Sequence, residues 1–220
     1  PNLMEYVWGD STDIAFNPET TVKSSAYKDG GGGGTVTPDP TPDEPSSGTI
    51  FTADFTKSQG GCTERIINNE SSYSKIWIQT SQYGWKATAY NGKNNVADAK
   101  LILPETDLTN YQSAKLTINQ AVNFAKTKGL EYLSIEAITI DDETDDEITT
   151  KLADFKVPSE DSWAFATYTL DLTQFCGDRL ILAFHYTSDA SVCCTWEIKN
   201  LTIEGTKVPT SIDTPTWKTD

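Results

Sequence analysis

The segment Arg179-Leu-Ile-Leu-Ala-Phe-His-Tyr186 decides the fold. Leu180, Leu182, Phe184 and Tyr186 fall on one side of an extended chain, because successive side chains of a strand point to opposite faces. Ile181 and Ala183 soften the other side, so this strand is expected near the centre of a sheet, covered on much of both faces. A second segment follows closely, Cys194-Thr-Trp-Glu-Ile-Lys-Asn-Leu-Thr-Ile-Glu204. Here Trp196 and Ile198 share one phase and Leu201 and Ile203 the other. A β-bulge near Lys199 or Asn200 returns all four to a single core face.

The period of two extends through the chain before these strands. Thr49 to Thr56 alternates with Phe51, Ala53 and Phe55 on one side, Lys75 to Thr80 with Ile76 and Ile78, and Gly84 to Tyr90 with Trp85, Ala87 and Ala89. Ala97 to Leu103, Ala114 to Val122, Tyr132 to Ile140, Ile148 to Phe155 and Ala164 to Leu172 continue the pattern. Asn91-Gly92, Lys128-Gly129, Cys176-Gly177 and Ser188-Asp189 supply turns. About ten strands with no convincing amphipathic helix predict an all-β, antiparallel β-sandwich of jelly-roll type.

Composition sets the boundaries. Five glycines at 30–34 have nothing to bury and much backbone entropy to lose, and the Pro/Asp/Thr repeat after them to Gly48 favours extended, solvated chain. Residues 30–48 therefore read as a linker, the tether of a domain presented by an exported protein. Residues 49–205 form the sandwich. Residues 1–29, with Leu3, Met4, Tyr6, Trp8 and Phe16, are too few for their own core and read as a remnant of a preceding domain. Residues 206–220, with Pro209, Pro215 and an isolated Trp217, read as a flexible tail.

The 220 residues carry 17 basic and 32 acidic side chains, a formal charge of −15. Such a surface repels phosphate backbones and anionic headgroups, so nucleic acid is not an expected partner. No apolar run approaches the ~20 residues of a membrane-spanning helix. Cations, neutral glycans and basic proteins suit the charge, and a monomer is expected. The four cysteines, Cys62, Cys176, Cys193 and Cys194, permit two disulfides, while no C-x-x-C pair or His-rich spacing suggests zinc. Cys193 and Cys194 should point to opposite faces of a strand, with Cys194 sharing the core face of Trp196. It is either a free buried thiol or bridged to Cys62 or Cys176.

Two blocks carry a family resemblance. Asp98-Ala-Lys-Leu-Ile-Leu-Pro-Glu-Thr-Asp-Leu108 followed by Lys115-Leu-Thr-Ile118, then Tyr168-Thr-Leu-Asp-Leu172, Gly177 to Tyr186 and Thr195 to Ile203, resemble the choice-of-anchor J, or cleaved-adhesin, domains over roughly Gly48 to Gly205. The resemblance implies a galactose-binding-like jelly roll, an adhesive or glycan-binding module of multidomain surface lipoproteins of gut anaerobes, and no catalysis. It also implies a structural calcium, for which Asp54 and Glu197 are the candidates here. Lys199 replaces an acidic residue common in the family's turn and speaks against that site. No other cofactor is expected.

The residues themselves offer three kinds of chemistry. His185 is the sole histidine and would have to serve a hydrolase as base, with Cys176 or Cys193 as nucleophile, but no elbow or oxyanion loop accompanies it. Carboxylates cluster at Asp141-Asp-Glu-Thr-Asp-Asp-Glu147, which lacks the glycine and final glutamate of a calcium loop and reads as a solvated hairpin tip. Aromatics are the better handle, since sugars stack their C–H faces on Trp or Tyr rings while amides and carboxylates take the hydroxyls. Trp77, Tyr83, Trp85, Tyr90 and Asn91 crowd one hairpin, and Trp163 opens a later strand. Trp77 and Trp85 serve equally as core residues, whereas Tyr83 and Trp163 are the expected exposed platforms. The expected function is a non-catalytic surface module that binds carbohydrate or a host or surface protein. A purely structural or adhesive spacer is the alternative, and a hydrolase a remote one.

Overall fold

Backbone pairing follows the alternation closely enough that the last strand organises the molecule. The structure, a computed structural model, describes residues 45–209 except position 142. The expected segment 1–29, residues 30–44 of the linker and residues 210–220 lie outside the described residues. In chain order the strands are β1 (Ser47–Asp54), β2 (Thr63–Asn69), β3 (Trp77–Thr80), β4 (Gly84–Ala87), β5 (Ala97–Ile102) and β6 (Thr106–Asp107). They continue as β7 (Tyr111–Asn123), β8 (Leu133–Ile140), β9 (Glu147–Lys151), β10 (Ser162–Asp171), β11 (Arg179–Ser188) and β12 (Thr195–Lys207). One sheet has the order β10-β7-β12-β4-β3 with β1 also on β12, and the other β2-β5-β11-β8-β9 with β6 also on β11. Every pairing is antiparallel. The paired strands take in Ser47, Gly48, Thr206 and Lys207, outside the expected span of 49–205. No helix among the described residues is long and apolar enough to cross a membrane.

The centre of the sandwich is Trp196. Its ring lies 5.5 Å from Trp77, and 5.6 Å from Phe155 and from Phe184 of the opposite sheet. Its indole N–H donates to Gln120 Oε1 at 2.7 Å, and Gln120 in turn donates to the Lys156 carbonyl at 2.7 Å, so the buried polar atoms are satisfied. The bulge expected in this strand lies between Ile198 and Asn200, and Trp196, Ile198, Leu201 and Ile203 are all buried. The bulge also turns the Lys199 carbonyl to accept the Phe55 N–H at 2.9 Å, pinning the end of β1. β11 is central, as its two softened faces require.

Other local expectations shift for identifiable reasons. Ile76 and Trp77 are buried while Ile78 is 45% exposed, so the inward phase of this strand belongs to Trp77 and not to Ile78. The larger ring wins the interior, and both backbone N–H groups are held by Glu64 Oε1 at 2.7 and 2.8 Å. β9 ends at Lys151 with every residue exposed, and Leu152 and Phe155 then turn into the core. β2 and β6 add two strands to the ten expected. β2 escapes sequence reading because Ile66 and Ile67 both face solvent and break any alternation. The cysteines are free thiols, and Cys193 and Cys194 are both buried instead of dividing between two faces. Strand geometry begins only at Thr195, which leaves Cys193 free to pack its sulfur 3.6 Å from the Tyr186 hydroxyl. Burial pushes the Cys62 and Cys194 thiols up to about 12, which makes them poor nucleophiles.

Two substitutions test this frame. Gly84 holds φ +77°, and a Cβ there would fall 2.9 Å from Lys199 Cα and closer still to the Ile198 carbonyl. Gly84→Ala is expected to cost about 2–4 kcal/mol in chemical denaturation, since both the φ and the close approach to the bulge exclude a side chain. Trp196→Phe is expected to cost about 2–4 kcal/mol, combining lost volume with an orphaned Gln120 carbonyl.

Candidate ligand-binding groove

With Trp196 and Ile198 facing the core, Thr195 and Glu197 must face outward, and the outer surface of the first sheet is built around them. Glu197 sits opposite Lys86 of β4 and Ala121 of β7, and Lys86 sits opposite Ile78 of β3. Although it lies on an outer face, Glu197 is only 2% exposed. Its Oε2 has no hydrogen-bond partner among the described residues. Burial pushes its carboxyl up, against the pull of Lys86 and Lys199. An acceptor held dry and unpaired costs folding energy, and such an atom calls for a water, an ion or a ligand to satisfy it.

Around Glu197 lies a depression of about 440 Å³ lined by Tyr83, Lys86, Trp163 and Thr195. A second, of about 490 Å³, shares Lys86 and Thr195 with it and runs on to Tyr73, Tyr90, Phe124 and Lys126. The two form one groove, with Trp163 packed edge-on against Phe124 at 5.6 Å where they adjoin. Trp163 and Tyr90 are each 51% exposed and Phe124 55%. Tyr73 is steadied by donating its hydroxyl to the Tyr90 carbonyl at 2.9 Å. The wall beyond β7 is strained: Phe124, Lys126 and Thr127 hold φ of 64°, 52° and 65°. Non-glycine residues in this region cost energy and cluster where a ligand is held.

Of the six candidate ligand residues, the structure brings Tyr83, Trp163 and Tyr90 to this groove. Trp77 and Trp85 are buried at 0% and 5% and belong to the core. Asn91 is spent on its own turn, donating to Ser72 Oγ and accepting from Asn95 Nδ2, each at 2.8 Å. Lys86, Thr195, Tyr73, Phe124 and Lys126 carry no sequence signal that sets them apart, because the strand order that gathers them is not local.

The two calcium candidates, Asp54 and Glu197, sit in different surroundings. Asp54 Oδ1 accepts from the Thr56 N–H at 3.1 Å and hydroxyl at 2.6 Å, and Oδ2 pairs with Lys57 at 2.8 Å. The Lys57 ammonium foremost, with the Thr56 hydroxyl, holds this carboxyl down at about 2. Asp54 pairs with Asn200, beyond the bulge from Glu197. Among the described residues no three His, Cys, Asp or Glu side chains converge as metal ligands.

His185 lies on the outer face of the other sheet, the side opposite Tyr186. Its Nδ1 is 2.7 Å from Glu136 Oε1 and its Nε2 2.7 Å from Asp98 Oδ1. Glu136 Oε2 also makes a 2.6 Å ion pair with Lys100. Lys100 and His185 together hold the Glu136 carboxyl below the usual range even though burial pushes it up. With both ring nitrogens engaged by carboxylates, His185 has none to offer a nucleophile, and Cys193 lies with Tyr186 on the other side of β11. Arg65 of β2 reaches Glu147 of β9 through two bonds of 3.0 and 3.2 Å. These strands end the sheet's order, so the sheet is curled enough to bring its edges together. The acidic tip between β8 and β9 is a turn in which Asp141 accepts the N–H groups of Glu143 and Thr144, both at 2.9 Å.

No protein-family model matches the chain, and no curated protein sequence does. Among solved structures it is similar to the K3 cleaved adhesin domain of Lys-gingipain from Porphyromonas gingivalis, at 12% identity over 72% of this chain and 99% of that one, with a TM-score of 0.45. It is similar to a family 29 carbohydrate-binding module at 13% identity, over 73% and 93% of the two chains, with a TM-score of 0.35. The carbohydrate recognition domain of Emp46p aligns at 13% identity over 69% and 91%, with a TM-score of 0.41. Likeness of this degree places the chain in none of these families.

Proposed function

We propose that this chain is a non-catalytic glycan-binding module whose site is the groove on the outer face of the first sheet. The observation that carries the reading is Glu197, a buried carboxylate with an unpartnered oxygen among the residues lining an aromatic-walled depression. Sugar hydroxyls are donors of the kind that oxygen lacks, and a charge-assisted hydrogen bond there is worth about 1.5–3 kcal/mol. Trp163 and Tyr83 supply faces for the C–H side of a sugar ring. The Gly/Pro-rich composition of residues 30–48 supports presentation on a tether by an exported, surface-anchored protein, in keeping with the resemblance to lipoprotein-borne choice-of-anchor J domains.

Glu197→Gln separates a ligand-binding carboxylate from a structural one. The folded state raises this carboxyl, so its charged form is penalised at neutral pH and the penalty vanishes as the pH falls through the ordinary glutamate range near ~4.3. The variant is expected to melt about 2–4 °C higher at pH 7, a gap that closes toward pH 4, while losing about 10–100-fold in affinity for the glycans the native chain retains on an array. Trp163→Ala is expected to lose about tenfold. A lower melting temperature for Glu197→Gln with undiminished binding would overturn the assignment.

A further inference from the structure

Net charge argues against anionic ligands for this chain, yet one half of the groove is built for them. The formal charge is −15. The depression running from Thr195 to Tyr90 nevertheless has Lys86 and Lys126 as its lining charges and no Asp or Glu among its lining residues. Neither lysine belongs to an ion pair among the described residues, a condition they share with Lys75, Lys93, Lys151, Lys156, Lys199 and Lys207. The nearby Asp161 accepts from the backbone N–H of Lys126 at 3.4 Å. Two ammonium groups outside any ion pair, beside Tyr73, Tyr90 and Phe124, present an anion site with ring faces next to it. The adjoining half shares Lys86 and adds the buried, unpartnered carboxylate of Glu197.

We infer that the groove takes an oligosaccharide containing a carboxylated sugar, its carboxylate between Lys86 and Lys126 and the hydroxyls of a neighbouring neutral ring on Glu197. The inference rests on the glycan-binding reading above and narrows it from glycans in general to acidic ones. Its logic is local complementarity winning over overall charge. Ions screen the field of the distant carboxylates beyond about 10 Å at 0.1 M salt, while a carboxylate in contact with two lysines is screened far less. Lys86 faces Glu197 across adjacent strands, so the carboxylate must enter from the Lys126 side, where no acid lines the depression. A uronic acid and a sialic acid both present this chemistry, and the groove's aromatic faces accept either ring.

The test uses the whole chain on a glycan array holding neutral and acidic sugars, followed by calorimetry with two matched pairs: tetragalacturonate against its methyl ester, and 3′-sialyllactose against lactose. The acidic member of one pair is expected to bind about tenfold or more tighter in low salt, with the advantage shrinking as salt rises. Which pair shows it identifies uronic or sialic acid as the source. Lys86→Met and Lys126→Met are each expected to collapse the difference between pair members, and retention of the native melting temperature by each variant shows that the fold is intact. Neutral glycans bound as tightly as acidic ones throughout, with sensitivity to Glu197→Gln, would overturn the inference and leave the glycan-binding reading standing. Absence of binding to every sugar on the array would overturn both.

Discussion

One extra residue in β12 governs the rest of this structure. A strand that buries Trp196 and Ile198 on one face would, without interruption, turn Leu201 and Ile203 to solvent, since the side-chain period is two. The bulge between Ile198 and Asn200 rescues that phase. It lets one strand contribute four core residues across its length, and so lets the same strand hold β7 along one side and β4 and then β1 along the other. Its freed carbonyl at Lys199 pins β1, and the close approach of Gly84 sets the β3–β4 hairpin against it. The aromatic cluster around Trp196 depends on that register.

The same register creates the groove. Placing Trp196 inward forces Glu197 outward, into a row with Lys86, Ala121 and Ile78 where neighbouring walls exclude water from it. The result is a carboxylate kept dry without a partner, beside a loop with three non-glycine residues at positive φ. Each borders an aromatic-lined depression, Glu197 one of the two and Phe124 and Lys126 the other. The opposite sheet shows the contrasting case. There Glu136, His185, Asp98 and Lys100 are just as charged and crowded, but they satisfy one another, which makes a structural network with little left over for a ligand.

Much of the sandwich was legible because alternation is a local property. The β11 pattern, the bulge and the inward Trp85, Ala87 and Ala89 follow from residue order alone. The failures share a physical cause. Ile78 reads as an inward residue because a short strand carries two apolar phases, and only packing against Trp196 shows that Trp77 has the stronger claim on the interior. β2 carries no alternation to read because its isoleucines serve an exposed edge. Tyr83, Tyr90 and Trp163 were identified as aromatics near turns, but the separation of 80 residues between Tyr83 and Trp163 hides that they share one wall system. Nothing local marks Glu197 as buried and unpaired, since its burial and isolation are properties of its neighbours.

By itself the sequence determined the period, the phase of each long strand and the bulge that reconciles the two halves of the last one. These depend on side-chain alternation, which acts between residues a few positions apart. Only the tertiary structure decided which strands lie side by side, and therefore that Glu197 is buried unpaired, that His185 is fully engaged and that Lys86 and Lys126 share a depression without an acid. A charge's partners and its solvation depend on what other strands bring to it, and that information exists only once the sheets have closed.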